Sequence, residues 1–144
     1  MKSQAKEQEF HITLKGVITK GDKILFFKKK GYDGEIYLDL PGGRMKEGED
    51  MVQGFTREMR EETGVKVEMG RVLGSHIFEN RLLHGTYKLC AMFIKTELQE
   101  NEVVLSEEHS GTQWLSKKQI IEHPGYRSSA YITECKEQLL AAFH

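Results

Sequence analysis

The chain has 144 residues, 38% hydrophobic and 30% charged, and 21 basic against 22 acidic side chains leave a formal net charge of −1. That length suits one domain with its own core, and the composition excludes an intrinsically disordered chain. The near-zero charge argues against a phosphate-backbone binder, and no apolar run approaches the roughly 18 residues of a membrane span.

The opening stretch MKSQAKEQEF is polar and lacks the apolar centre of a secretory signal. One domain is expected over residues 1–144, with 1–9 flexible and no repeat or linker. Residues 11–19 (HITLKGVIT) and 23–30 (KILFFKKK) read as strands, joined by a hairpin turn at Lys20-Gly21-Asp22-Lys23. Residues 35–40 (EIYLDL) form a short strand that runs into a Pro41-Gly42-Gly43 loop.

A helix follows over 50–63. Asp50 is its N-cap, Gln53 completes a capping box, and Gly64 is the stop. Val52, Phe55 and Met59 supply its core stripe. Residues 65–78 and 86–97 alternate as longer strands, and Thr112 to Leu115 form a short strand around Trp114. Ser116 caps a short helix over 117–122. A last helix, about 129–143, puts Ile132, Cys135, Leu139 and Ala142 on one face. Strands, helix, strands, helix is the order of an α/β chain with helices packed on a mixed sheet.

Cys90 and Cys135 are too few and too far apart for a disulfide framework or a cysteine metal site. Cys90, inside an apolar run, reads as a buried small hydrophobe. The cysteine usage and the polar N-terminus point to a cytoplasmic location.

The helix over 50–63 carries a second pattern. Glu58, Glu61 and Glu62 stand at i, i+3 and i+4, within an arc of roughly 100°. Like charges at that spacing destabilise a helix. A hard divalent cation, Mg²⁺ or Mn²⁺, would compensate them. On spacing alone, a solvated acidic face is the plainer reading.

The wider context decides between the two. From Gly43 the chain reads five residues, Glu49, seven residues, then Arg57-Glu58-Met59-Arg60-Glu61-Glu62-Thr63-Gly64-Val65. This resembles the Nudix box, G-x5-E-x7-R-E-U-x-E-E-x-G-U with U apolar, over residues 43–65, and every specified position matches. The Leu-Pro-Gly-Gly approach, the preceding hairpin and the downstream Trp-Leu strand extend the likeness over most of the chain.

The resemblance implies an α/β/α sandwich with a loop-helix-loop catalytic motif. It also implies metal-dependent hydrolysis of a nucleoside diphosphate linked to a group X. Glu58, Glu61 and Glu62 align with metal ligands, and Glu58 or Glu62 with the general base. Arg57 aligns with the arginine that orients a box glutamate. Glu49 aligns with a residue that braces loop against helix, and Gly42 with one whose carbonyl is a further ligand. Glu108 is the candidate ligand outside the box, with Glu107 and Glu97 as alternatives. Lys28, Lys29 and Lys30 end a strand near the phosphate site that the resemblance implies, and Lys28 and Lys30 are the candidate contacts, against a solvated edge as the plainer reading. Trp114 reads as core, and Tyr126 and Tyr131 are open between base stacking and packing. His76, His84 and His109 show no metal-ligand spacing.

Substrate follows by elimination. ADP-ribose hydrolases of the family tend to carry a proline some fifteen residues after the box. Here no proline stands between Pro41 and Pro124. The tyrosine of the dinucleoside polyphosphate hydrolases is also missing, as are the NADH and coenzyme A signatures. A MutT-like hydrolase of nucleoside triphosphates, with Mg²⁺ as cofactor, is therefore expected. A hydrolase of nucleotide sugars or other nucleoside diphosphate derivatives and a non-catalytic ligand-sensing domain are the alternatives. The expected partner is a small nucleotide, with no membrane and no polymeric nucleic acid; a homodimer is left open.

Overall fold

The computed structural model describes residues 6–31, 34–83, 87–98, 111–125 and 130–144, apart from the side chains of 80–83 and 87. Glu107, Glu108, His84, His109 and Tyr126 lie outside the described residues.

The hairpin forms as its sequence dictates, with β1 (Phe10–Lys20) and β2 (Lys23–Lys30) paired antiparallel. β3 (Ile36–Asp39) adds to β2. Then comes a strand that the sequence conceals, β4 (Gly42–Arg44), where a loop was expected. It pairs antiparallel with β1, Gly42 opposite Lys15 and Gly43 opposite Leu14. Two glycines and an arginine offer no apolar alternation, so the strand is held by backbone hydrogen bonds rather than by a buried face.

Helix α1 (Met51–Thr63) starts and stops where its caps say. The Asp50 side chain accepts from Gln53 N, the reciprocal bond is present, and Gly64 takes a left-handed φ of 73°. Its core row differs from the expected one. Phe55 and Met59 are fully buried, whereas Val52 is 58% exposed. Met51, Phe55, Met59 and Thr63 form one i+4 row facing inward, and Val52 sits about 100° round from Met51.

β5 (Val67–Leu83) and β6 (Tyr87–Leu98) pair antiparallel over a bulged register. β6 runs parallel to β1 from Phe10 opposite Lys88 to Ile18 opposite Thr96. β7 (Gly111–Ser116) pairs with β2 and leads into α2 (Lys117–Glu122), capped by Ser116 as expected, with Gln119 completing a capping box. α3 (Ala130–Leu140), kinked at Cys135, continues into a 3₁₀ turn at Ala141–Phe143. Ile132, Cys135, Leu139 and Ala142 are all buried, as their spacing requires.

Among the described residues the sheet order is β3-β2-β1-β6-β5, with β4 on β1 and β7 on β2. One core packs α2 and α3 against one face, around Val17, Phe26 and Phe93. The other packs α1 against the opposite face, around Leu14, Ile18 and Phe27, with Trp114 at its margin. This is an α/β/α sandwich with a mixed sheet. Cys90 is only half-buried. It sits in register between Ile12 and Ile77, each 39% exposed, on a row left uncovered among the described residues. No described helix is long and apolar enough to cross a membrane.

Candidate active site

The site is built on the junction of β4 and α1. Gly16 N donates to Pro41 O at 2.8 Å and Met45 N to Ile12 O at 3.0 Å, which ties the loop to β1 on both sides of β4. Gly42 has φ 131°, and a Cβ there would overlap the Leu14 carbonyl. At Gly43 a Cβ would come within 2.6 Å of the Glu58 carboxyl carbon. Only glycine lets the backbone lie this close to the helix side chain.

Arg57 organises the carboxylates. It donates to Glu49 through Nε at 2.6 Å and Nη2 at 2.8 Å. Its Nη1 donates to Glu58 Oε1 at 2.9 Å and, more weakly, to Glu61 at 3.3 Å. Glu49 Oε1 also accepts from Lys46 N at 2.9 Å, so one carboxylate braces the loop against the helix. Hydrogen bonds from Arg57 and then from the Lys46 amide hold the Glu49 pKa down, at about 2. The same bonds, Glu49 first and Glu58 next, raise that of Arg57.

Glu58 and Glu62 open into a cleft of about 640 Å³, a size suited to a small-molecule ligand. Its walls include Gly42, Gly43, Lys15, Lys29 and Tyr131, with His11, Arg44 and Lys46 also contributing. Lys15 rises from the middle of β1 with a side chain only 8% exposed. Its Nζ donates to Asp39 Oδ1 and to Leu40 O, both at 3.2 Å, and stands 5.5 Å from the centre of the Tyr131 ring. Burial pulls its pKa down, but the carboxylates of Asp39 and, more weakly, Glu62 help outweigh that and raise it. Burial likewise pushes Asp39 up, and Lys15 and Lys29 bring it down below the carboxylate range. Both groups are therefore charged at neutral pH.

The expected residues divide. Glu58, Glu62 and Gly42 line the cleft, and Arg57 holds Glu58. Glu61 is 57% exposed, lies on Arg57 and does not line the cleft. Of the three consecutive lysines, Lys29 lines it, and Lys28 and Lys30 do not. Strand alternation sends neighbours to opposite faces, so one side of β2 takes Lys29 alone. Glu97 lines a separate depression with Glu68 and Arg71. Tyr131 is not a free stacking platform: Phe78 and Phe93 meet it edge-on at 5.5 and 6.0 Å, and Lys15 faces the ring. Lys15 and Asp39 are the participants that sequence reasoning missed. Lys15 is the one charged residue in the apolar run 12–18, and Thr13, Lys15 and Val17 share one inward face.

The fold and the cleft together define a two-core α/β/α sandwich whose loop-helix-loop presents Glu58 and Glu62 to the cleft. The NUDIX domain model matches residues 10–134, and the chain belongs to that family. It is 33% identical over 70 residues to the "ADP-ribose pyrophosphatase" of Methanocaldococcus jannaschii, covering 49% of this chain and 41% of that protein. To "Nudix hydrolase 2" of Arabidopsis thaliana it is 27% identical over 128 residues, covering 82% and 44%. The chain thus spans less than half the length of these curated relatives. The solved MutT protein from Methanosarcina mazei shares the fold, with a TM-score of 0.72 at 22% identity over 96% of each chain.

Proposed function

We propose that this chain hydrolyses the pyrophosphate bond of a nucleoside diphosphate linked to a group X, with a divalent cation as cofactor. The observation that carries the reading is the shared cleft of Glu58, Glu62, Lys15 and Lys29 in a chain with a complete box. Carboxylates for a metal and ammonium groups for an anion face one volume large enough for a nucleotide.

The donor set suits a hard cation. Glu58 and Glu62 offer carboxylate oxygens, and the bare backbone at Gly42 and Gly43 lines the same cleft beside Glu58. Among the described residues no three His, Cys, Asp or Glu side chains make a metal cluster. Mg²⁺ needs none, because one or two carboxylates plus water and substrate phosphates complete its shell. Mg²⁺ is the proposed ion, with Mn²⁺ as substitute. When bound it would neutralise the diphosphate and lower the pKa of a water.

The chain's own residues supply the rest. Arg57 fixes the carboxylate of Glu58, and Glu49 fixes Arg57. Glu58 or Glu62 takes the proton of the attacking water. Glu61, turned to Arg57 and solvent, helps hold the Arg57 guanidinium in place.

Two substrate readings are kept. Hydrolysis of nucleoside triphosphates to monophosphate and pyrophosphate rests on the missing subfamily signatures. Hydrolysis of a nucleoside diphosphate sugar is favoured by the relative named as an ADP-ribose pyrophosphatase. A panel of triphosphates, ADP-ribose and UDP-sugars with Mg²⁺, its products resolved by chromatography, decides between them. No turnover of any member, with the protein folded, overturns the reading in favour of a ligand-sensing domain.

A further inference from the structure

Asp39 does not line the cleft, yet both lysines bound to it do. Its Oδ1 accepts from Lys15 Nζ at 3.2 Å and from the Leu40 amide at 2.8 Å, and its Oδ2 from Lys29 Nζ at 3.2 Å. Three donors fill most of the acceptor sites of one carboxylate, so Asp39 is poorly placed to take a metal or a proton. It acts instead as a bridge. Two ammonium groups held on one carboxylate are held within the span of one small anion, and their sum with Asp39 is still one positive charge.

Lys15 is the unusual member. Burying a charge is costly, and an apolar pair would fill the same space at less cost. The charge is kept where β1 reaches the cleft, opposite Gly42 in the strand register. Tyr131 packs beside it and is itself locked by Phe78 and Phe93, so the ammonium has little room to move.

Resting on the pyrophosphate-hydrolase reading, we propose that Lys15 and Lys29 form a metal-independent subsite for one phosphate group of the substrate, with Asp39 as its positioning residue. A phosphate has the acceptor oxygens to take one N–H from each ammonium, mirroring what Asp39 does from the other side. Lys29, 44% exposed, can follow the ligand, and Lys15 is the fixed half.

The test is binding of inorganic pyrophosphate in excess chelator, followed by calorimetry at two salt concentrations. The wild type should bind without metal, and more weakly in high salt. Lys15→Met and Lys29→Met should each weaken binding about tenfold. Asp39→Asn separates positioning from bulk charge. It removes a negative charge, so simple attraction predicts tighter binding, whereas loss of positioning predicts binding several-fold weaker. Tighter binding by Asp39→Asn, unchanged binding by both lysine variants, or no metal-free binding by the wild type overturns the proposal. If Lys15→Met or Asp39→Asn lacks a cooperative melt, the half-exposed Lys29→Met and Lys29→Ala carry the test. Turnover of the nucleotide panel is read separately. Turnover with indifferent lysine variants sinks the subsite alone; the binding pattern without turnover sinks the hydrolase reading alone.

Discussion

Arg57 meets Glu49 fork to fork, Nε on Oε2 at 2.6 Å and Nη2 on Oε1 at 2.8 Å, across eight residues of sequence. The pair joins the loop to the helix and leaves Nη1 for Glu58. A planar guanidinium can grip one carboxylate with two parallel bonds and still donate to another, and an ammonium has no such fork.

Arg57→Lys should therefore lower turnover by about 10–100-fold, the usual cost of losing a residue that orients a metal ligand. The fold should survive, since Arg57 lies outside the Phe55–Met59 row that packs into the core. A rate equal to wild type would show that Glu58 needs no such support.

Glu49 predicts a pH dependence of stability. Its ordinary pKa is 4.5 and its folded value about 2. A depressed folded pKa contributes stability that is full above 4.5 and is lost as pH falls toward 2, because the unfolded chain takes the proton first. Asp39, also depressed, acts in the same direction. Lys15, raised above its usual 10.5, keeps its contribution throughout this range. Melting temperature measured from pH 6 to pH 2 should fall most steeply below 4.5, and Glu49→Gln should flatten that slope. An unchanged slope in the variant refutes the assignment.

Much of this was legible in local sequence. Asp50 with Gln53, and Ser116 alone, set the starts of α1 and α2 to the residue, because capping is a short-range hydrogen-bond problem. The box located Glu49, Arg57 and Glu58, whose contacts span at most eight or nine positions. Val52 misled because apolar character at i and i+3 does not say which of two adjacent rows faces inward. β4 was invisible because glycine carries no pattern. Lys15 and Asp39, 24 residues apart, meet only once three strands are laid side by side. Their one local sign is a lysine inside an apolar strand.

Two glycines near the site should respond in opposite ways. Gly54 lies inside α1, and an alanine Cβ would meet Glu49 Oε1 at 3.4 Å and Met45 Cγ at 3.6 Å, which is ordinary contact. Gly54→Ala should stabilise by about 0.5–1 kcal/mol, a rise of roughly 2–4 °C in melting temperature. At Gly43 the Cβ would displace the Glu58 carboxylate. Gly43→Ala should cost roughly 10²-fold in turnover, because a misplacement near 1 Å suffices for that. Its melting temperature should move little, since the displaced group is the end of a flexible side chain. Calorimetry and rates on both variants check the pair. Destabilisation by Gly54→Ala or a normal rate in Gly43→Ala contradicts this account.

Glu62→Gln is the sharpest test of the catalytic reading. Glu62 lies one helical turn beyond Glu58 and lines the same cleft, away from the Phe55–Met59 row that packs into the core. Glutamine keeps the size and one acceptor oxygen but removes the charge that would hold a hard cation. Loss of an essential ligand or base costs roughly 4–7 kcal/mol of transition-state stabilisation, or about 10³–10⁵ in rate. Without metal, two small effects oppose each other. The like charges of Glu58 and Glu62 no longer repel, which stabilises. Attraction to Lys15 is lost, which destabilises, but Glu62 ranks last among the influences on that lysine. The metal-free melting temperature should therefore stay close to wild type. The increment added by Mg²⁺ should shrink, because a ligand that binds only the folded state stabilises it by mass action. Rate and melting temperature are measured together, with and without Mg²⁺. A near-wild-type rate removes Glu62 from the chemistry, and a collapsed metal-free melting temperature makes it a structural residue instead.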